Sequence, residues 1–276
     1  MKDNPILTII TVNLNKCDGL QRTINSVVDQ TFTNYEWIVI DGGSTDGSRE
    51  LIEKYADIFA YWCSEPDKGI YNAMNKGIAH AKGEWLQFLN SGDCLFENTT
   101  LDKVFNKNHK SDILYGDAID LSSSEKKWLM PHFITISFLK EYALCHQSMF
   151  FRKEIFYNHK YEENYKICSD WALYYKLAIE NYTMQYVPYC IAVFEGNGIS
   201  NLNYEYATRE RQLVIEKYTP VHLKKDLEYI CTVKAQENYI NSHKSYKITY
   251  KIARKTTLFL GRIINIIEWI KIKIKK

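Results

Sequence analysis

The residues of this 276-residue chain that could do chemistry gather in a few short turns. Gly83 to Phe96, GEWLQFLNSGDCLF, runs as an apolar strand through Trp85, Leu86, Phe88 and Leu89 into the polar turn Asn90-Ser91-Gly92-Asp93. Ligands collect at the carboxyl ends of strands in open α/β sheets, so a carboxylate just beyond such an end is placed to hold a metal or a charged substrate. The same four residues also make a stable turn in their own right. A second turn, Asp41-Gly42-Gly43-Ser44-Thr45-Asp46, follows the strand-like Tyr35 to Ile40 and precedes a helical pattern. Its glycines let a ligand approach the backbone, and the helix start offers N–H groups to phosphate. Asp41 can accept hydrogen bonds from a base or ribose.

The elements that must position these turns are legible as periodicities. Leu7 to Val12 is a β-branched run suited to a buried parallel strand. Leu20, Ile24, Val27 and Val28 then recur at helical spacing. Tyr35 to Ile40 is a second strand, and the helix after it draws caps from Ser44, Thr45, Asp46 or Ser48. Ile58 to Ser64 reads as a third strand, Ile70 to Ala81 as a helix, and the opening run as a fourth strand. Strands alternating with helices in this way predict a parallel, doubly wound sheet. Later strands are expected over Asp112 to Asp117, Gln147 to Phe151 and Met184 to Phe194, with a helix from Trp171 to Glu180. A dinucleotide site of the G-x-G-x-x-G kind is disfavoured, because Asn13-Leu14-Asn15 after the first strand contains no glycine.

Taken together, TIITVNLN, YEWIVIDGGSTDGS and EPDKGIYNAMNKGIAHAKGEWLQFLNSGD resemble, in order, the N-terminal half of the family 2 inverting glycosyltransferases, which have a GT-A fold. On matching positions the resemblance implies that Thr11, Asn13, Asn15, Asp41 and Gly43 hold the nucleotide of a sugar-nucleotide donor, with Asp41 facing the uracil edge. Lys68 and Asn75 fall in the stretch that closes over the donor, although Ile70, Met74 and Ile78 there also read as a core-facing stripe. The family's metal motif falls on Asn90 to Asp93, so Ser91 and Gly92 are expected at the diphosphate and Asp93 at Mn²⁺ or Mg²⁺. Many relatives carry Asp where this chain has Gly92. One carboxylate can suffice, since these ions take phosphates and water as further ligands.

Inverting transfer needs a base to deprotonate the acceptor hydroxyl. The resemblance assigns it to Asp170 in Ser169-Asp170-Trp171, where a plain helix cap is the competing reading. Gln147 and Trp171 are expected to line the acceptor pocket, His146 the acceptor or diphosphate pocket, and Glu195-Gly196-Asn197-Gly198-Ile199-Ser200 to be a loop that orders on binding.

Composition sets the surroundings. The net charge of +2 gives no case for nucleic acid, but residues 244–276 hold ten Lys or Arg against one Glu, which is +9 and leaves −7 on the rest. With Ile252, Phe259, Ile263, Ile266, Ile267, Ile270 and Trp269 at helical spacing, this tail reads as a basic amphipathic helix on an anionic membrane; packing on the domain or in a homodimer is the competing reading. Seven scattered cysteines without a C-x-x-C pair argue against zinc or a disulfide framework. The N-terminus reads as a first strand and not a signal peptide, and no apolar run approaches a spanning helix.

The expectation is therefore an α/β, mostly parallel doubly wound GT-A domain over residues 1–215, with a donor half to 98 and an acceptor half from 99 to 215. A helical basic extension covers 216–276. Its function would be sugar transfer from a UDP-sugar to a glycan or lipid-linked saccharide at the cytoplasmic face of the inner membrane. A non-catalytic sugar-nucleotide-binding or scaffold protein of the same descent is the alternative.

Overall fold

The structure is a computed structural model that describes residues 4–123, 126–196 and 203–242. The basic tail 244–276 and the Asn197–Ser200 part of the expected loop lie outside the described residues. The chain divides into two compact units, Met1–Thr219 and Pro220–Lys276. In the second unit the described element is one long helix, Val221–Ser242.

The first unit is built on a nine-stranded sheet. Strands β1 (Leu7–Asn13), β2 (Tyr35–Asp41), β3 (Tyr61–Ser64) and β4 (Trp85–Phe88) pair in parallel, in the order β3-β2-β1-β4. Every residue of β1 is buried, as expected for a strand covered on both faces. The alternation of side chains divides the core in two. Ile10, Val12, Ile38, Ile40, Leu86 and Phe88 face α3 (Ile70–His80) and α7 (Ser169–Ile179). Leu7, Ile9, Trp37, Val39 and Trp85 face α1 (Cys17–Val28), α2 (Ser48–Lys54) and α4 (Thr100–Phe105). Helix α3 lies so close to β1 that a Cβ at Gly77 would fall 2.5 Å from Ile10 Cγ2.

Beyond β4 the sheet is mixed. Antiparallel β8 (Met149–Arg152) joins β4 to β6 (Ile113–Asp120), β9 (Met184–Phe194) pairs parallel with β6, and β5 (Cys94–Leu95) pairs antiparallel with β9. A short β7 (Lys126–Trp128) hangs on β6. Helices α5 (Ile136–Glu141), α6 (Ile155–Asn158) and α8 (Tyr204–Tyr218) complete this unit, and Val221–Ser242 is α9.

Element boundaries shift from the sequence expectation at two 3₁₀ turns. Ala56–Ile58 is a 3₁₀ turn, and the strand begins only at Tyr61, after buried Phe59 has packed edge-on against Trp37. His146–Ser148 is likewise a 3₁₀ turn ahead of β8. None of the proposed caps on α2 is used: its N-cap is Gly47, at φ 94°, and Asp46 Oδ1 instead accepts the Ser48 N–H at 3.1 Å and the Ser48 hydroxyl at 2.6 Å just ahead of it.

Candidate active site

Parallel pairing carries the carboxyl ends of β1, β2 and β3 to one edge, with Asn13 opposite Asp41 and Asp41 opposite Ser64. Asn13 Nδ2 donates to Asp41 Oδ1 at 2.7 Å, and Ser64 Oγ donates to Oδ2 at 2.6 Å. The loop after β2 turns back on the same carboxylate: Ser44 Oγ donates to Oδ1 at 2.5 Å, and the Gly43 and Ser44 N–H groups donate to Oδ2 at 3.2 and 2.9 Å. Burial opposes the charge of Asp41, but the bonds from Ser44, Ser64 and Asn13 outweigh it and hold the carboxyl below its ordinary range. Gly43 reaches this conformation at φ +84°. Asn15, at φ 49°, closes the loop by accepting the Thr45 N–H at 2.8 Å.

Two of the expected donor residues lie inside the fold. Asp41 is fully buried and accepts five hydrogen bonds, which hold the loop in shape. Thr11 is equally buried, donating to Leu89 O at 2.8 Å and accepting from the Trp37 indole at 3.0 Å. It is a core residue. Asn13 Oδ1 beside them is buried and has no hydrogen-bond partner among the described residues.

The Asn90–Asp93 turn sits beside this loop. Ser91 N–H donates to Val12 O at 3.1 Å, and Asp93 N–H closes the turn on Asn90 O at 2.9 Å. Gly92 adopts φ +99°, a region that a side chain would strain. Helix α1 is stitched to the turn by Thr23 Oγ1, which accepts the Gly92 N–H at 3.0 Å and donates to Asp93 O at 2.8 Å. Asp93 is 8% exposed. Burial pushes its carboxyl up to about 7, against the smaller effects of the Gln147 amide on Oδ2 (3.0 Å) and of Lys16.

Gln147 is matched on its other side by His146, which is buried, stacked on Phe88 and hydrogen-bonded through Nε2 to Tyr161 Oη at 2.7 Å. Burial holds the imidazole below its ordinary pKa, although the Asp170 carboxylate nearby pulls the other way. Asp170 lies in the first turn of α7, where the single Tyr71 hydroxyl proton is shared between Ile167 O at 2.5 Å and Asp170 Oδ1 at 3.0 Å. The N-cap of α7 is Cys168, so Asp170 does not cap that helix. The loop before α7 is fixed from α8: Glu210 accepts the N–H groups of Lys166, Ile167 and Cys168 at 2.6, 2.9 and 3.0 Å.

Three further expected site residues have different surroundings. Trp171 is a core residue, 1% exposed, its indole donating to Leu139 O and its ring stacked on Tyr175. Asn75 is spent on structure, donating to Tyr161 O and Glu163 and accepting the Tyr161 N–H. Lys68 is exposed on the turn before α3, where its N–H donates to Asn72 Oδ1 at 3.3 Å. Three residues that the sequence reading did not single out lie near these turns. Lys16 and Arg22 of the α1 region both pair with Glu195, and Tyr71 holds Asp170. Tyr71 lies inside the EPDKGIYNAMN stretch, but no spacing rule ties it to a residue ninety-nine positions on.

The chain is similar in fold to Staphylococcus aureus TarS residues 1–349, solved in complex with UDP, at a TM-score of 0.62, 18% identity and coverage of 80% of this chain and 68% of that one. It spans 41% of the longer TarS structure. A mannosyltransferase from Pyrobaculum calidifontis, solved with GDP-Man and Mn²⁺, aligns at a TM-score of 0.57, 16% identity and coverage of 75% and 61%. The fold is thus that of the GT-A glycosyltransferases. A PGL/p-HBAD biosynthesis glycosyltransferase of Mycobacterium bovis is 34% identical over 178 residues, covering 60% of this chain and 67% of that protein. The family model for glycosyl transferase family 2 matches residues 8–182, and the chain belongs to that family.

Proposed function

We propose that this glycosyltransferase moves a sugar, with inversion, from a UDP-linked donor to a hydroxyl of a glycan or lipid-linked saccharide. The observation that carries the reading is the meeting of the Asn13–Asp41–Ser44 loop and the Asp93 turn at one strand edge, with Gln147 and His146 leading from Asp93 toward Asp170. The donor's nucleotide would lie against Asn13, Asn15 and the 42–46 loop, with Asp41 keeping that loop in shape.

Oxygen donors suit Mn²⁺ or Mg²⁺, and the turn supplies them. Beside the Asp93 carboxylate, Asn90 Oδ1 and Ser91 Oγ are buried without a hydrogen-bond partner among the described residues. Among the described residues no group of three or more His, Cys, Asp or Glu side chains could hold a metal, so donor phosphate and water would complete the shell. A bound ion would supply charge neutralisation of the leaving diphosphate.

The chain's own residues do the rest. Asp170, oriented by Tyr71, accepts the proton of the acceptor hydroxyl as that oxygen attacks the anomeric carbon. The bond to the diphosphate breaks with its electron pair leaving on phosphate. Neutral His146 keeps the Tyr161 and Phe88 wall packed beneath the acceptor. The 244–276 tail would hold the enzyme on an anionic membrane; among the described residues no helix is long and apolar enough to cross one.

A panel of nucleotide-sugars with Mn²⁺ and lipid-linked acceptors, run on wild type, Asp93→Ala and Asp170→Asn, tests the reading. We expect turnover by wild type and loss in both variants. Donor binding with no turnover under any acceptor would return the chain to a sugar-nucleotide-binding role, which the single-carboxylate turn favours.

A further inference from the structure

The ion pairs at the mouth of this site have a geometry that the transfer mechanism above does not use. Lys16 is the residue immediately before α1, and Arg22 lies one and a half turns further along it. Glu195, the first residue after β9, reaches both: Oε2 is 2.8 Å from Lys16 Nζ, and Oε1 pairs with Arg22 Nη2. The strands fix this meeting, because β5 pairs with β9 through Cys94–Val193 and so brings residue 195 back beside Gly92. Lys16 Nζ lies over the glycine itself. A Cβ built at Gly92 would stand 2.6 Å from that ammonium and 3.6 Å from Glu195 Oε2. The ammonium therefore fills the space that any side chain at position 92 would need. Thr23, on the same helix, ties α1 to the turn, so the two cations and Asp93 keep their spacing.

All three charged side chains remain substantially in water, at 46, 48 and 37% exposure. Ion pairs of that kind are weak and exchange readily. Two cations converging on one carboxylate, at the edge of a nucleotide loop, match an anion with more charge and more oxygens than a carboxylate. Guanidinium in particular binds phosphate oxygens in a bidentate fork.

We propose that Lys16 and Arg22 form a diphosphate seat and that the Glu195 carboxylate occupies it until the donor arrives. The inference rests on the donor reading above and adds to it a place for the diphosphate charge at the glycine where a second acidic side chain is missing. Binding exchanges the Glu195 carboxylate for phosphate oxygens on the same two cations, with no bond made or broken. Glu195 is then an internal competitor, and its removal strengthens binding where removal of either cation weakens it.

The test is calorimetric titration of the whole chain with UDP, inorganic pyrophosphate and uridine, in EDTA and again with Mn²⁺. In EDTA, Glu195→Gln should bind UDP and pyrophosphate about tenfold tighter than wild type, as expected for losing a charged competitor. Lys16→Ala and Arg22→Ala should each bind both about tenfold more weakly, with the gaps narrowing at high salt. Uridine, which has no phosphate, should bind all four proteins alike. Equal pyrophosphate and UDP affinity across the four, with UDP still bound, would overturn the seat and leave the donor reading standing. Failure of every protein to bind any of the three would overturn both.

Discussion

Asp93→Asn isolates the electrostatic state of the acidic turn. In the folded chain this carboxyl is buried and titrates at about 7, against 3.8 for an ordinary aspartate. A raised folded pKa gives stability that is fully present below the unfolded value and is lost as pH rises through the folded one. Moving a carboxyl from 3.8 to about 7 therefore costs ~4 kcal/mol at pH 8 and under half of that at pH 5. Asparagine does not titrate and still offers a carbonyl oxygen to the Gln147 amide that now reaches Oδ2 at 3.0 Å. The advantage of Asp93→Asn over wild type should grow by roughly 2–3 kcal/mol between pH 5 and pH 8, read as a shift in urea midpoint at unchanged slope. Adding Mn²⁺ and UDP at pH 8 should then stabilise wild type more than the variant, which keeps the nucleotide contacts but loses the carboxylate. A stability difference that is the same at both pH values would refute the buried, proton-holding carboxyl.

Other expectations follow from single contacts. Asp170→Asn should cut kcat by at least about a hundredfold with donor binding by calorimetry unchanged, because a positioned base contributes that much or more. Tyr71→Phe deletes the hydroxyl on Asp170 and Ile167, and should lower kcat several-fold at constant donor KM; a matched rise in KM would assign Tyr71 to binding instead. Glu210→Ala strands three backbone N–H groups before α7 and should cost about 2–4 kcal/mol in chemical denaturation. Gly77→Ala drives a methyl into Ile10 and should cost about 1–3 kcal/mol, with Ile10→Val restoring part of it.

The parallel first half was legible because each strand and helix there carries its own period and each turn its own chemistry. Leu7 to Asn13 had to be buried on both faces, and Asn90 to Asp93 had to turn. What the sequence could not convey was availability. Asp41 and Thr11 have suitable groups at suitable positions, yet neighbours such as Ser44, Ser64, Leu89 and Trp37 use those groups up. Trp171 follows Asp170 directly but points into the core, since adjacent helical residues are turned by about a hundred degrees. The second half was harder to read because its strands pair out of chain order, β8 between β4 and β6 and β9 between β6 and β5. The Lys16–Arg22–Glu195 meeting is a product of that order and has no local signature.

The 3₁₀ turn at His146–Ser148 has a mechanical consequence. Gln147 addresses Asp93 through its amide, while its immediate neighbour His146 is clamped between Phe88 and Tyr161 on the side where Asp170 is felt. One dipeptide thus addresses both carboxylates, and it is further held by Gln87 Nε2 on Gln147 O at 2.9 Å and by the burial of the imidazole. Under the proposed roles of Asp93 and Asp170, this dipeptide would help to set the spacing from leaving group to base. Wear at either end, such as a smaller residue in place of Phe88, would be felt as misalignment at the other.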